Sequence, residues 1–461
     1  MKKYDSTHAG YSEWVERYAK VRAACSGQHA VRELGEKVLP KLNGHDEKEY
    51  RAYLHGALYT NYTGRTLEGL LGMVFRKDPA QNFPAGFERV ADDVDLKGNS
   101  VSILAHSVLS EVMQAGSYGL LVEYPQAPEA QMSQAQAEAL NIRPYVSCYR
   151  RESIIDWRMG RVNNLYQTVM IKLKETHTEW ENEFESKDYE QVRMLLLSEG
   201  VYLQRVYRKL DKDWVQIGDE IIPTKQGKPL PFIPFWVFGR DMGSLDFQEP
   251  LLEDLADVNL AHYRTSASYE RGCVFTGAPT PILAGFILDE NERVKLGSTT
   301  AVITQDPNAK WGYLEFTGQG LDALVNSMKM KESQMAALGA RMLAPEKTGV
   351  EAQGTLEMRT NGESSVLAMF AKLVSQGFVQ VLEFMAEWQG VGGDIEFALN
   401  TDYLPRRLTA QELKELVSAY LGGAMSKKDF FWNLQQGELV REGQSFDDYD
   451  EETQQTGLGE M

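Results

Sequence analysis

The stretch PLLEDLADVNLAHYRTSASYERG, residues 250–272, decides how the rest of the chain is read. Pro250 stands near the start of a helix, where its missing N–H is one of the donors that would go unpaired anyway. Leu251, Leu255, Val258 and His262 recur on one face, and Leu252, Asn259 and Tyr263 on the face beside it. The pattern predicts a helix to about Arg271, and about 23 residues at 1.5 Å each make a rod of roughly 35 Å. Its second half, RTSASYERG, is rich in small and polar side chains, a surface suited to the close approach of another helix rather than to a deep core.

The chain before this rod has a different period. Residues 1 to 60 read as polar helices, with Trp14, Val15, Tyr18 and Val21 at helical spacing. NYTGRTLEGLLGMVFRKDP, 61–79, gives an amphipathic helix striped by Leu67, Leu70, Leu71, Val74 and Phe75. A second helix runs from about Ser100 to Ala115 with Val101, Leu104, Val108, Leu109 and Val112. GLLVEYP, 119–125, reads as a buried strand stopped by proline. The Ala- and Gln-rich residues 126–142 suggest a surface insertion. From Arg143 to about Gly239 alternating residues such as Leu165, Val169, Ile171 and Leu173 predict an antiparallel meander. Inside it, KETHTEWENEFESKDYE, 174–190, reads as a solvated face or long hairpin loop, since no metal-ligand spacing recurs.

After the rod come short Pro- and Gly-bounded strands (277–283, 301–307 and 311–316), then a helix from Leu321 to Leu343 with Leu324, Val325, Met328, Met335, Leu338 and Met342. APEKTGVEAQG, 344–354, breaks it. A third long helix from about Asn361 to Trp388 carries Val366, Leu367, Phe370, Leu373, Val374, Val381, Leu382 and Met385, and Gly354 and Gly362 invite a kink before it. DIEFALN, 394–400, is a short strand. Thr409 with Glu412, and Ser426 with Asp429, each set a capping device before a small helix. The tail DDYDEETQQTGLGEM is expected to be disordered.

Composition narrows the function. The chain has 461 residues and a formal net charge of −18, the wrong sign for a protein that grips DNA phosphates by counterion release and the right sign for a surface that repels DNA. Cys25, Cys148 and Cys273 form no CxxC pair, so three reduced thiols are expected. The opening MKKYDSTHAGYSEW lacks an apolar segment behind its basic residues, so no signal peptide is expected. No run approaches the roughly 20 apolar residues that span a bilayer. The expectation is a protein that stays inside a cell, or inside something assembled there.

Catalytic motifs are missing. Gly318, Gly320 and Ala323 in TGQGLDAL fit GxGxxA, but no second parallel strand ending in an acid follows; initiation of a helix at Gly320, with Asp322 favouring its N-terminal dipole, is the simpler reading. There is no GxxxxGK[ST], HExxH, GxSxG or EF-hand loop. The seven histidines are scattered, and His262 reads as a packed histidine rather than a ligand. Arg341 and Lys347 flank the break after the second long helix. In a monomer they are solvated charges; repeated around an axis they would touch a phosphate backbone.

Bottom-up, these residues describe an acidic α+β protein with three long helices and no catalytic signature. The order of its parts, over roughly residues 50 to 440, resembles the portal (head–tail connector) proteins of tailed bacteriophages. GRTLEGLLGMVFRKDP (64–79), DLKGNSVSILAHSVLSEVMQAGSYGLLVEYP (95–125) and NLAHYRTSASYERGCVFTGAPTPIL (259–283) carry the likeness. The resemblance implies N-terminal helices and a β-rich wing over 1–240, a first stem helix over 241–272, a clip over 273–319 and a second stem helix over 320–343. It further implies a channel loop over 344–356, a long kinked helix and return to the wing over 357–406, crown helices over 407–445, and an acidic tail over 446–461. It implies no enzyme activity and no cofactor or metal. It implies a ring, twelve-fold in the mature head, at one capsid vertex of a virion assembled in the host cytoplasm, with double-stranded DNA in transit. Terminase large subunit, head–tail adaptor, major capsid and scaffolding proteins would be its partners, with no membrane. Arg341, Lys347 and Glu351 become DNA-channel candidates. Twelve copies would surround that channel with about −216 formal charges, which repel a duplex carrying one charge per ~1.7 Å. Two rivals remain: another head–tail joining or minor capsid protein, although adaptors are usually much shorter, and a metal-dependent transferase, for which the nucleotide loop and ligand spacing are missing.

Overall fold

In a computed structural model, residues 4–125, 140–277, 280–285, 306–314, 318–342, 365–403, 410–437, 439–440 and 444–455 are described. Helices form where the apolar stripes fall: α1 Tyr11–Ser26, α2 Gln28–Glu33, α3 Glu47–Gly56, α4 Tyr62–Val74, α5 Glu88–Asp92 and α6 Val101–Ala115. In α4, Leu67, Leu70, Leu71 and Val74 are buried, and in α6 so are Val101, Leu104, Val108, Leu109 and Val112. Side chains fix the entries: Asn61 accepts from the Gly64 N–H, and Ser100 from the Ile103 N–H.

The predicted meander is a five-stranded antiparallel sheet of β4 Ile154–Val162, β5 Leu165–Trp180, β6 Ser186–Ser198, β7 Val201–Leu210 and β8 Asp213–Ile221, in sequence order. Three of its connections are two-residue turns, at Asn163–Asn164, Glu199–Gly200 and Asp211–Lys212. Asn163 and Asn164 both take positive φ (49° and 67°), the twist that two-residue hairpins require. The 174–190 stretch is the long β5–β6 hairpin, pairing from Lys174 with Val192 out to Trp180 with Ser186. Beside this sheet lies a second, in the order β11 (Phe235–Gly239), β2 (Ser117–Glu123), β3 (Tyr145–Arg150). β1 (Ala80–Asn82) and the two short strands β9 and β10 (224–225 and 228–229) complete the first half.

The second half contains α7 Glu253–Gly277, β12 Thr280–Ala284, β13 Lys310–Leu314, α8 Leu321–Arg341, α9 Val366–Gln389 and β14 Glu396–Ala398. Helices α10 Ala410–Leu421, α11 Lys427–Gln436 and α12 Phe446–Gln455 follow. α7 runs six residues past its expected end at Arg271. α9 is the centre of the core: Leu367, Phe370, Val374, Phe378, Val381, Leu382, Met385 and Trp388 are all buried. Gly377 makes this possible, since a Cβ there would stand 2.5 Å from the Phe238 ring on β11. By length and mean hydropathy of 1.3, α9 could cross a membrane, which the sequence reading did not foresee; its apolar faces are instead covered by this chain's own side chains, and Lys372, Gln376, Gln380, Glu383 and Glu387 form an exposed polar stripe.

The strand expected in DIEFALN forms as β14 and pairs with β1, Ala398 facing Ala80 and Glu396 facing Asn82. One expectation is corrected here: the acidic tail is not wholly irregular, because residues 446–455 form α12. Ser445 caps that helix, accepting from the Asp448 N–H (3.1 Å) and donating to the Asp448 carboxylate (2.7 Å). The rings of Phe446 and Tyr449 pack on Phe431 of α11, and Asp450 pairs with Lys427. Charge counting misses the two aromatics, three apart, that give the segment something to bury.

One buried carboxamide joins the halves. Asn259 of α7 is fully buried. Its oxygen accepts from the Tyr59 hydroxyl (2.7 Å), the Thr63 hydroxyl (2.9 Å) and the Thr63 N–H (3.1 Å), and its NH2 donates to the Thr60 carbonyl (2.9 Å). Replacing Asn259 with Ala strands these buried groups, at about 1–3 kcal/mol for each one left unpaired. The expected outcome of N259A is a loss of roughly 2–4 kcal/mol, read as a lower urea midpoint than the parent's; an unchanged midpoint would rule out this anchoring role.

Candidate functional site

The feature that the core does not absorb is the antiparallel hairpin of α7 and α8. The root of α7 is buried through Leu255, Ala256, Leu260, Tyr263 and Ala267; beyond Ala267 no residue of the helix is buried. Ten residues at 1.5 Å each therefore project about 15 Å past the core. α8 lies along this rod. A Cβ at Gly272 would come 2.5 Å from the Leu321 side chain, so the missing side chain permits the close approach. Lys331 donates to the hydroxyls of Thr265 (3.0 Å) and Ser327 (2.6 Å). The small, polar second half of α7 thus packs on another helix, as its sequence implies, and that helix belongs to the same chain. Past the helices, β12 pairs with β13 from Thr280 with Leu314 to Ala284 with Lys310.

α8 is covered on one side only. Met335 is its single buried residue, and Met342 just beyond it is buried too. The opposite face presents Asp322, Asn326, Lys329, Met330, Ser333, Ala337 and Arg341 to solvent, with Met330 61% exposed. That face carries two cations to one carboxylate, in a chain where acids outnumber bases 66 to 48. Among the described residues no carboxylate lies within ion-pair distance of Lys329 or Arg341. The helix starts directly after Gly320, as expected for TGQGLDAL. It ends against α4 and α9: Thr66 lies beside Gly339, and the Leu367 N–H donates to the Met342 carbonyl (3.2 Å). Arg341 is thus placed in the exposed last turn, where a cation complements the helix dipole. Lys347 and Glu351, with the 344–356 segment, lie outside the described residues.

A groove of about 550 Å³ runs beside the hairpin between α3 and the projecting half of α7, lined by His45, Tyr53, Ala267, Arg271, Val274 and Phe275. A second cleft, of about 710 Å³, lies between the two sheets near Tyr124, Tyr145, Arg193 and Trp388. The Arg193 guanidinium there is already bound to Glu123 (2.9 Å) and Glu175 (2.7 Å), so it offers no spare charge to a ligand. Burial pushes the Cys25 thiol up to about 12 and the Cys148 thiol up to about 11, which keeps both protonated and unreactive. Among the described residues no cluster of His, Cys, Asp or Glu has the arrangement to hold a metal ion. Sequence reasoning missed Lys329, whose signal was its place opposite Met328, Met335 and Met342 on the helical wheel.

A family described as a domain of unknown function, DUF4055, matches residues 250–389, the span from the root of α7 to the end of α9. No curated protein matches the chain. Solved structures with a similar course include a chain in the virion of a native gene transfer agent particle, 11% identical, covering 86% of this chain and 95% of that one with a TM-score of 0.39. Another is in the neck of the empty gene transfer agent particle computed with C6 symmetry, 11% identical, covering 80% and 88% with a TM-score of 0.40. A third is in the neck of the native particle computed with C12 symmetry, 12% identical, covering 81% and 89% with a TM-score of 0.36.

His262 sits where the hairpin leaves the core. It is buried, its ring edge-on to Tyr62 and its Nε2 3.3 Å from Glu332 on α8. Burial lowers its pKa below the ordinary 6.5, and Lys331 adds to this, although Glu332 pulls the other way. The folded ring therefore refuses a proton that the unfolded chain accepts. Stability is fully present above about pH 6.5 and declines as pH falls below it. Melting temperatures of the parent and His262→Gln, compared from pH 7.5 to pH 5, should show the parent losing more than the variant; a constant difference would mean that His262 does not titrate this way.

Proposed function

We propose that this chain is the repeating subunit of a head–tail connector ring of the tailed-phage portal type, a conduit for double-stranded DNA in a virion, with no catalytic role of its own. The observation that carries the reading is the rooted but half-uncovered hairpin. A single copy leaves one face of α8 and the projecting end of α7 in solvent, with Val274 67% and Phe275 49% exposed, whereas the apolar faces of α4, α6 and α9 are buried in the core. Neighbouring copies around an axis would cover the groove between α3 and α7 and turn the hairpins into a collar.

In this reading β4–β8 are the wing, α7 and α8 the stem, and β12 with β13 the described part of the clip that meets the terminase and later the adaptor. α9 is the helix behind the channel, and α10 with α11 form the crown. The 344–356 segment would form the constriction, with Arg341 just ahead of it in the chain and Lys347 and Glu351 within it. The electrostatics suit passage rather than capture. An acidic body repels the duplex, and a few cations on each α8 keep it centred without the large counterion release that makes binding tight.

Purified full-length protein viewed by negative-stain microscopy should give rings with a central hole wide enough for a duplex. A monomer at every concentration would overturn the proposal. Deleting residues 344–356 should leave the rings intact while lowering the DNA retained per particle in a packaging assay, and Lys329→Glu with Arg341→Glu should do the same. Normal genome filling by the deletion would remove the constriction assignment.

A further inference from the structure

The two ends of strand β5 carry opposite charge and exposed aromatic surface, and nothing else in the described chain covers them. At the far end, the β5–β6 turn holds Trp180 and Phe184, 73% and 90% exposed. Glu179, Glu181, Glu183 and Glu185 alternate with them. The turn is built rather than loose: the Asn182 side-chain oxygen accepts from the N–H of Phe184 (2.8 Å) and of Glu185 (3.0 Å), and the Glu181 N–H donates to the Glu185 carbonyl (3.0 Å). Among the described residues no cation lies within ion-pair distance of these four carboxylates.

The near end is the reverse. Beside the Asn163–Asn164 turn Arg161 is exposed, and further back on β4, opposite Met170, so is Arg158; neither has a carboxylate at ion-pair distance among the described residues, although Glu199 of the neighbouring β6–β7 turn lies at the same end of the sheet. Leu165 and Tyr166 beside them are 64% and 75% exposed. Isolated apolar residues on a surface need no explanation, but preorganised aromatics inside a charged collar mark an interaction surface. The ends are about 50 Å apart, sixteen residues at ~3.3 Å each, so they cannot satisfy each other within one copy.

We propose that the acidic, aromatic β5–β6 tip of one copy docks on the basic, apolar β4–β5 end of the next. Such a contact uses two different patches, so it propagates head to tail and closes into a ring when the rotation allows. The complementarity that selects a second copy is internal to the sheet: two unpaired guanidinium groups and an aromatic ring at one end, carboxylates and two aromatic rings at the other. Charge sets register and partner choice, and the aromatics supply the buried area. This inference rests on the reading of the chain as a ring subunit and adds which surfaces meet.

Charge reversal tests it in the full-length chain, with assembly followed by sedimentation velocity. Glu181→Lys with Glu183→Lys, and separately Arg158→Glu with Arg161→Glu, should each raise the concentration for half-assembly about tenfold or more. All four positions are exposed, so melting temperature should not move. An equimolar mixture of the two variants should assemble again, since each reversed tip then meets a reversed end, and so should a chain carrying all four changes. Parent rings with reversed variants that assemble as the parent does would overturn this contact and leave the ring reading standing. Loss of assembly that neither mixture nor combination rescues would also overturn it. A reversed tip that assembles normally but loses another virion protein would assign the tip to that partner instead. A parent that never assembles would overturn both proposals.

Discussion

The candidate site depends on the buried carboxamide of Asn259. A hairpin that stands out from a protein body acts as a lever, and its direction is only as well fixed as its root. Apolar packing is non-directional and would hold the root of α7 without aiming it. The Asn259 side chain aims it, because a carboxamide surrounded by Tyr59, Thr60 and Thr63 is satisfied in one orientation only. The Tyr59 hydroxyl also lies 2.8 Å from the Ala24 carbonyl of α1, so its one proton is shared between that carbonyl and the Asn259 oxygen. Segments some 35 and 200 residues apart are thus tied at one point, and α8, which touches little but α7, inherits its position from that knot.

Charge is handled differently inside and outside the body. Inside, cations are matched at short range. Arg22 of α1 lies between Glu111 of α6 and Glu152, and Arg193 between Glu123 and Glu175. Arg151 is almost wholly buried, with no carboxylate at ion-pair distance among the described residues; it donates to the Ile154 and Leu245 carbonyls (2.9 Å each) and lies over the Trp157 and Phe247 rings. Burial accordingly lowers its pKa to about 10, which still leaves it charged at neutral pH. These arginines are spent on holding elements together, which leaves the outer surface acidic. Against that surface the cations of the outward α8 face and of the β4–β5 end stand out, because they lack such partners.

Much of the fold was legible because its helices and strands keep their periods. The stripes of α4 and α6 end within a few residues of their predicted limits, and the meander was visible from alternation and turn residues. The misreadings share a physical cause: period reports which face is apolar, not what covers it. The second half of α7 found its partner in the same chain, and α9, read from its stripe as a third long helix, proved to be the centre of the core. The tail was judged by its charge, though Phe446 and Tyr449 were enough to seat a capped helix on Phe431. The place of Arg341 in the last turn of α8 was readable from sequence. Those of Lys329, Asn259 and the Trp180–Phe184 tip were not, since an asparagine on a helix face and aromatics between glutamates look the same whether buried or bare.

The three rods are covered to different extents. α9 buries its apolar faces in its own chain and leaves Lys372, Gln376, Gln380, Glu383 and Glu387 as an exposed polar stripe. α7 is divided, rooted in the body and bare at its end. α8 is clasped on one side and open on the other. A chain selected only to fold alone would gain from placing α8 across its own body, since each buried apolar side chain is worth roughly 1.5–3 kcal/mol. Holding it outward forgoes that gain, and doing so on a root as specifically bonded as Asn259 indicates that the outward position is itself the product.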